Sequence, residues 1–563
     1  MIIPPPACRA HRSVLDLVAS ASTTAPALLS ATARATTAAC ACALLTDHAF
    51  LVLLGHFAQH LGLIQLLAAV PIPQKTRDHR PQTKLIQFLV GILAGLPYLQ
   101  DFNAGPQPLV SDQAVIGSWR QHAFAHYSGL SRTLAAADEA TLQAVISTLQ
   151  QVSQPFVERE VLSMLGSAQP LVVDIDLTGR AVSPTSTDYV DAAFGWMDDG
   201  VAKGYQAAIS SLSGGPSGRL LLTCQRYAGR AKSAECLRAA LEAVEQTLGV
   251  HPRRRTALLQ AQLTTLLTAL AGCQQSWAAL GEQLEELAWQ HQMFFQGLTL
   301  PSARAVRQQA KREQRIARLS ARRSTLQARI AQIEAQQAEL QSNLAQLEAD
   351  NATGSKLAPL VIRLDAGFAT DANLAYLIEL GYTVVSKVHS GHTTSRLQRG
   401  VEAGAQWERV GANAEALDLG AQRLGQGRYP LQALQVRYQL PEGARHTTLL
   451  YYGDTPPPAP AAWFAYYNRR QVIEAGIKEN KGVFTMRRPL VRSAIGMQLQ
   501  EQFALFAANF VRWAAAWAGE QLREVPPSLA QAFKEVKTLV RVVAQPREAG
   551  GDGSRLCVGV RYA

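Results

Sequence analysis

Cysteine is scarce: seven in 563 residues (Cys8, Cys40, Cys42, Cys224, Cys236, Cys273 and Cys557), with no Cys-x-x-Cys pair and no histidine at zinc-finger spacing. That argues against both a disulfide framework and a structural zinc site, and fits a reducing, cytosolic setting. Long apolar runs are missing too. The most apolar stretch, residues 50–70, is interrupted by His56, Gln59, His60 and Gln65, so nothing reaches the roughly 18 uninterrupted apolar residues that span a bilayer. The expectation is a soluble chain with no membrane partner. Acids are the minority charge, 43 Asp and Glu against 54 Lys and Arg, for a formal net charge of +11 and a pI near 9.4. Such a surface attracts polyanions, of which DNA and RNA are the commonest. Residues 1–45 hold a single acid, Asp16, among Ala, Thr and Ser. They are expected to be a disordered tail or to follow a start codon placed too early, although organelle or secretory leaders share this composition.

What is present divides the chain. Residues 46–165 carry apolar side chains at helical spacing and are expected to form a helical N-terminal domain. Within it, Ser111 to Leu134 is a candidate DNA-binding helix-turn-helix, with residues 128–132 as the turn. The period then changes. Val173, Ile175 and Leu177 alternate with Asp174, Asp176 and Thr178, the mark of a strand with two distinct faces. Strand-like runs at residues 205–212 and 219–227 and a helix from Ser233 to about Leu248 complete residues 166–250 as the first half of an α/β domain.

Residues 251–352 interrupt it. Leu263, Leu266, Leu270, Cys273, Trp277 and Leu280 keep heptad spacing, and after a break at Gly297 and Pro301 the spacing resumes from Ile316 to Leu347. Two arms of this kind make an antiparallel coiled-coil hairpin, each reaching roughly 60 Å at 1.5 Å per residue. Its role is open between dimerisation and a grip on DNA along the basic start of the second arm. The α/β pattern returns over 353–388, with a strand ending in Asp365 and a strand–helix–strand order that suggests parallel pairing. A β-rich insertion (389–458), a helical segment (459–525) and a tail (526–563) follow.

After the proline-rich break at residues 456–460, Tyr467, Arg470, Glu474 and Lys481 stand at i, i+3, i+7 and i+14. On one helix these fall at about 0°, −60°, −20° and −40°, a single narrow stripe. A carboxylate flanked by cations suits a divalent-metal site whose neighbours hold phosphates. Asp176 and Asp365 are the obvious further acids, because hard ions want shared carboxylate oxygens. Asp174 shares a face with Asp176 and is the alternative to it.

Tyr467-x2-Arg470-x3-Glu474-x6-Lys481 resembles the signature of bacterial insertion-sequence transposases with a DDE catalytic domain. Asp176-Leu-Thr178 is similar to the first-acid motif of that family, and Arg363-Leu-Asp365-Ala-Gly-Phe368 to the second. The resemblance covers roughly residues 80–520. It implies a ribonuclease-H-like mixed sheet in a bacterial, nucleoid-associated protein of the cytoplasm. Asp176, Asp365 and Glu474 would be the catalytic and metal-binding residues for two Mg2+ or Mn2+ ions, with Tyr467, Arg470, Lys481 and Thr178 meeting DNA. Trp407, in the β-rich insertion, is the candidate for stabilising a flipped base, against a plain role in the core of that unit. The implied partners are the transposon's terminal inverted repeats, target DNA and a second copy of the chain. Two readings compete: a non-catalytic or decayed DNA-binding coiled-coil scaffold, and a ribonuclease-H-like nuclease that cuts without joining. The hairpin between the first two acids has no counterpart in the family pattern.

Overall fold

The computed structural model describes residues 46–75, 78–197, 200–295, 302–402 and 404–521. The Ala-rich first 45 residues, the turn of the hairpin and the tail after residue 525 lie outside the described residues. The chain is mixed α/β, and its described residues divide into two compact units, one drawn from residues 46–250, 360–373 and 384–521, the other from 251–359 and 374–383.

The first unit is organised by a ten-stranded mixed sheet. Its strands are β1 (Leu171–Ala181), β2 (Ala193–Met197), β3 (Gly200–Ser213), β4 (Arg219–Ala228), β5 (Leu360–Leu364), β6 (Thr383–Lys387), β7 (Glu408–Arg409), β8 (Ala414–Gln422), β9 (Leu431–Leu440) and β10 (Gly443–Tyr452). They lie in the order β2-β3-β1-β5-β6-β10-β9-β8-β7, with β4 paired to β3. β1 is central: it runs antiparallel to β3 over its whole length and parallel to β5. β2, which alternation alone did not reveal, extends the β3 edge as a hairpin.

Three expectations change. The segment after residue 389 is not a separate β unit, because β10 hydrogen-bonds to β6 and the inserted strands continue the same sheet. The helical N-terminal segment is not a separate domain either. Phe57 packs on Phe510, Phe88 on Phe503 and Phe156 on Trp513, so its core is shared with the Ala494–Gln521 helix. Finally, residues 128–132 are not a turn but lie inside the Tyr127–Ala135 helix. The link back to the Gln113–Ser118 helix covers residues 119–126, longer than the three or four residues of a helix-turn-helix, because the buried Trp119 pins it by donating from Nε1 to the Leu51 carbonyl at 3.0 Å.

The second unit is formed mainly by a two-helix hairpin, to which residues 374–383 are added. Its arms, Thr256–Phe295 and Ala303–Ala352, pack along the heptad seam, with Leu259, Leu270, Leu280 and Leu287 buried on one arm and Ile333 and Leu347 on the other. At its base Arg254 donates Nε to Asp350 at 2.9 Å, while Asn351 exchanges hydrogen bonds with the Arg254 backbone. One 18-residue window within residues 256–293 has a mean hydropathy of 1.2, apolar and long enough by composition to cross a bilayer. Leu259, Leu270, Leu280 and Leu287 of this arm lie buried on the hairpin seam, whereas Leu267 is exposed.

Candidate active site

Register brings the first two acids together. Asp174 pairs with Arg363 and Ile175 with Leu364 across the parallel β1–β5 ladder, so the next step along both strands sets Asp176 beside Asp365. Asp365 is exposed at the end of β5 and opens a short 3-10 turn, Ala366–Phe368. β1 alternates as expected, but its polar face is covered. Asp174 is fully buried and held by Arg363 through two bonds of 2.7 Å, with the Ser213 hydroxyl donating at 2.6 Å. Burial raises its proton affinity, and those partners offset that rise only in part. With both carboxylate oxygens held by buried protein donors, Asp174 is a structural counter-ion, and Asp176, 22% exposed, is the acid left accessible on this face.

The third acid arrives on a broken helix. The single helix expected after residue 456 is two: Pro460–Asn468 and Gln471–Gly482, joined through Arg469 and Arg470. Bonds from Arg470 N to Tyr467 O and from Ile473 N to Arg470 O tighten the join into a 3-10-like turn. The four-residue stripe is therefore distributed, with Tyr467 on the first helix, Arg470 at the join, and Glu474 and Lys481 on the second. Arg363 ties the first helix to the sheet by donating to the Tyr466 carbonyl at 3.0 Å. The second docks through Arg219 on β4, which bonds the Val472 carbonyl and Glu479. Gly476 makes this possible, since a Cβ there would lie 2.8 Å from the Arg219 guanidinium.

Arg470 is where the site converges. Its guanidinium is buried and donates to Asp176 Oδ1 at 2.9 Å and to Glu474 Oε1 at 3.1 Å. Burial alone lowers its proton affinity, but the fields of Asp176, Asp365, Tyr467 and Glu474 outweigh it, and the net shift is upward. Asp176 shifts upward as well. Desolvation is the main cause, Arg470 opposes it, and the like charges of Asp365 and Glu474 add to it. Tyr467 is pushed well above the ordinary phenol range, chiefly by burial, so its hydroxyl stays a neutral donor.

The three acids therefore occupy one electrostatic field around one cation. Among the described residues no group of three or more His, Cys, Asp or Glu side chains is already set to ligate a metal. The acids' charge is instead met by Arg470, whose Nε is buried without a hydrogen-bond partner. The donor set fits hard divalent ions such as Mg2+, which take carboxylate oxygen.

Other expected residues lie differently. Thr178 is buried on β1 at 6% exposure and offers no surface for DNA, a correction to the sequence reading. Trp407 lies under the Arg437 guanidinium, 4.3 Å from its ring centre, and edge-on to His446. Those partners belong to β9 and β10, which β5 and β6 separate from β1, so the structure does not bring Trp407 to the acids. Lys481 stands two turns beyond Glu474, near the end of its helix. The sequence reading gave Arg363 no role. An arginine inside an apolar strand needs an acid partner, and that is the signal that could have paired it with Asp174.

Comparison with protein-family models and with curated protein sequences found no match to this chain.

Proposed function

We propose that the chain is a DNA transposase that cleaves at the ends of a mobile element and joins the freed ends to target DNA. One observation carries this reading: Asp176 on β1 and Glu474 from a distant helix both bond one buried arginine, and the β1–β5 register sets Asp365 next to Asp176 within that arginine's field. The strand arrangement, with β1 flanked by an antiparallel β3 and a parallel β5, suits a ribonuclease-H-like domain. Asp176, Asp365 and Glu474 would hold a pair of Mg2+ or Mn2+ ions, which supply charge stabilisation and an activated oxygen nucleophile for in-line phosphoryl transfer. When cations neutralise the acids, Arg470 is released to bind phosphate, and its planar fork suits that group. Tyr467 donates a neutral hydrogen bond beside it, and Lys481 extends the positive edge along the helix. The recognised partners are terminal inverted repeats and target duplex, and paired-end cleavage calls for a homodimer on DNA.

The test is a strand-transfer assay with a labelled transposon end in Mg2+. Wild type yields both nicked and joined products. Glu474→Gln loses both by at least about a hundredfold while keeping its thermal stability, because this side chain is 44% exposed. Cleavage without joined products would assign a nuclease instead, and DNA binding with no metal-dependent cleavage would assign a scaffold.

A further inference from the structure

The second hairpin arm carries a charge pattern that coiled-coil packing does not require. Its seam runs without a break through Ala305, Arg312, Leu319, Leu326 and Ile333, which fixes the heptad position of every other residue. Arg304, Lys311 and Arg318 then share position c, Arg315, Arg322 and Arg329 share position g, and Arg307 falls at f. Positions c and g lie about 50° apart on the same flank, so seven cations form one stripe. All seven are exposed, and none takes part in an ion pair among the described residues. The arm's only acid between residues 303 and 333 is Glu313, at position e on the opposite flank. Two other cations of the arm point elsewhere: Arg323 stacks on Trp277 at 4.1 Å and Arg312 donates to the Gln290 carbonyl.

Seven like charges on one flank repel one another, which disfavours the hairpin unless a polyanion covers them. From Arg304 to Arg329 the stripe is about 37 Å long at 1.5 Å per residue, close to one turn of duplex DNA, about 34–36 Å. Positions c, f and g between residues 304 and 329 hold no aromatic side chain, and their only apolar residues are Ala321 and Ala328. The stripe therefore has no platform for stacking unpaired bases and little apolar area for a protein partner to bury. A second copy's first arm would bring only Glu282, Glu285 and Glu286 to meet it.

We infer that this stripe is a sequence-independent contact for the phosphate backbone of duplex DNA. The contact stands on the hairpin's own residues and does not depend on the catalytic reading. It is tested by equilibrium binding of the full-length protein, without Mg2+, to a random-sequence duplex two helical turns long, titrated with salt. Each phosphate contact adds about 0.9 to the slope of log K against log salt concentration. Replacing Arg304, Lys311, Arg315, Arg318, Arg322 and Arg329 together by Gln, a good helix former, lowers that slope by about 3–5 with helicity by circular dichroism unchanged. The matching variant with Lys at all six positions keeps the wild-type slope. An unchanged slope in the Gln variant overturns the inference. So does a Gln variant that binds duplex as before but no longer self-associates, which would give the stripe to a second copy. A stripe that binds but a protein that never cleaves would refute the catalytic reading alone.

Discussion

Replacing Arg470 by Gln probes the centre of the site. The guanidinium is 7% exposed and bonds acids that are 22% and 44% exposed. Breaking a fully buried ion pair costs about 3–5 kcal/mol, and the water that reaches both acids screens this to about 2 kcal/mol. In chelator, R470Q should therefore melt about 2–3 °C below wild type, because three carboxylates are left facing one another. Mg2+ should reverse the loss. At a hundred times its dissociation constant a bound ion adds about 2.7 kcal/mol, enough to offset the deficit, and R470Q offers it acids with no arginine competing for them. Wild type should gain less from Mg2+, since its ion must displace Arg470. The assay is differential scanning fluorimetry of both proteins across a Mg2+ titration, with Ca2+ as a second probe. If R470Q melts with wild type in chelator, or if Mg2+ does not raise its melting temperature, the three acids do not converge on a shared cation position and the reasoning fails.

Asp174→Asn should behave in the opposite way: loss of the buried Arg363 partner costs about 3–5 kcal/mol, and Mg2+ restores none of it, as a thermal melt with and without the ion will reveal. Asp176→Asn should abolish cleavage, and its stability relative to wild type should depend on pH. Asp176 holds its proton above the ordinary carboxylate value, so between that value and the raised one the folded chain binds more protons than the unfolded, and this group's contribution to stability falls as pH rises through the window. The melting temperature of D176N measured relative to wild type should rise through that window; a constant or falling difference would contradict the direction of the shift. Gly476→Ala forces Arg219 away from the Val472 carbonyl, so cleavage should slow with DNA affinity unchanged, and wild-type rates in single-turnover assays would show that the docking of the Glu474 helix tolerates the shift.

The features legible in the sequence were those set by local period. Alternation gave β1, and heptad spacing gave both hairpin arms. The pairing of Asp176 with Asp365 was also accessible, because two acids ending apolar strands of one interrupted domain meet if the strands are neighbours. Features set by distant pairing were not legible. Residues 431–452 read as strands, but nothing local says that β10 bonds to β6 rather than closing a unit of its own. The break at Arg469 and Arg470 carries no proline or glycine to announce it. The buried state of Thr178 and the bond between Asp174 and Arg363 depend on what covers the sheet, which a pattern of period two cannot report.

The clamp at the foot of the hairpin has a practical consequence. Arg254 grips both Asp350 and Asn351, and a bridge joins His251 to Leu357, so the two ends of the insertion are fastened side by side whatever its length. Whole heptads can therefore be deleted from or added to both arms in step without altering the point of attachment. The length of the insertion can thus be reset genetically while the residues that fasten its two ends stay as they are.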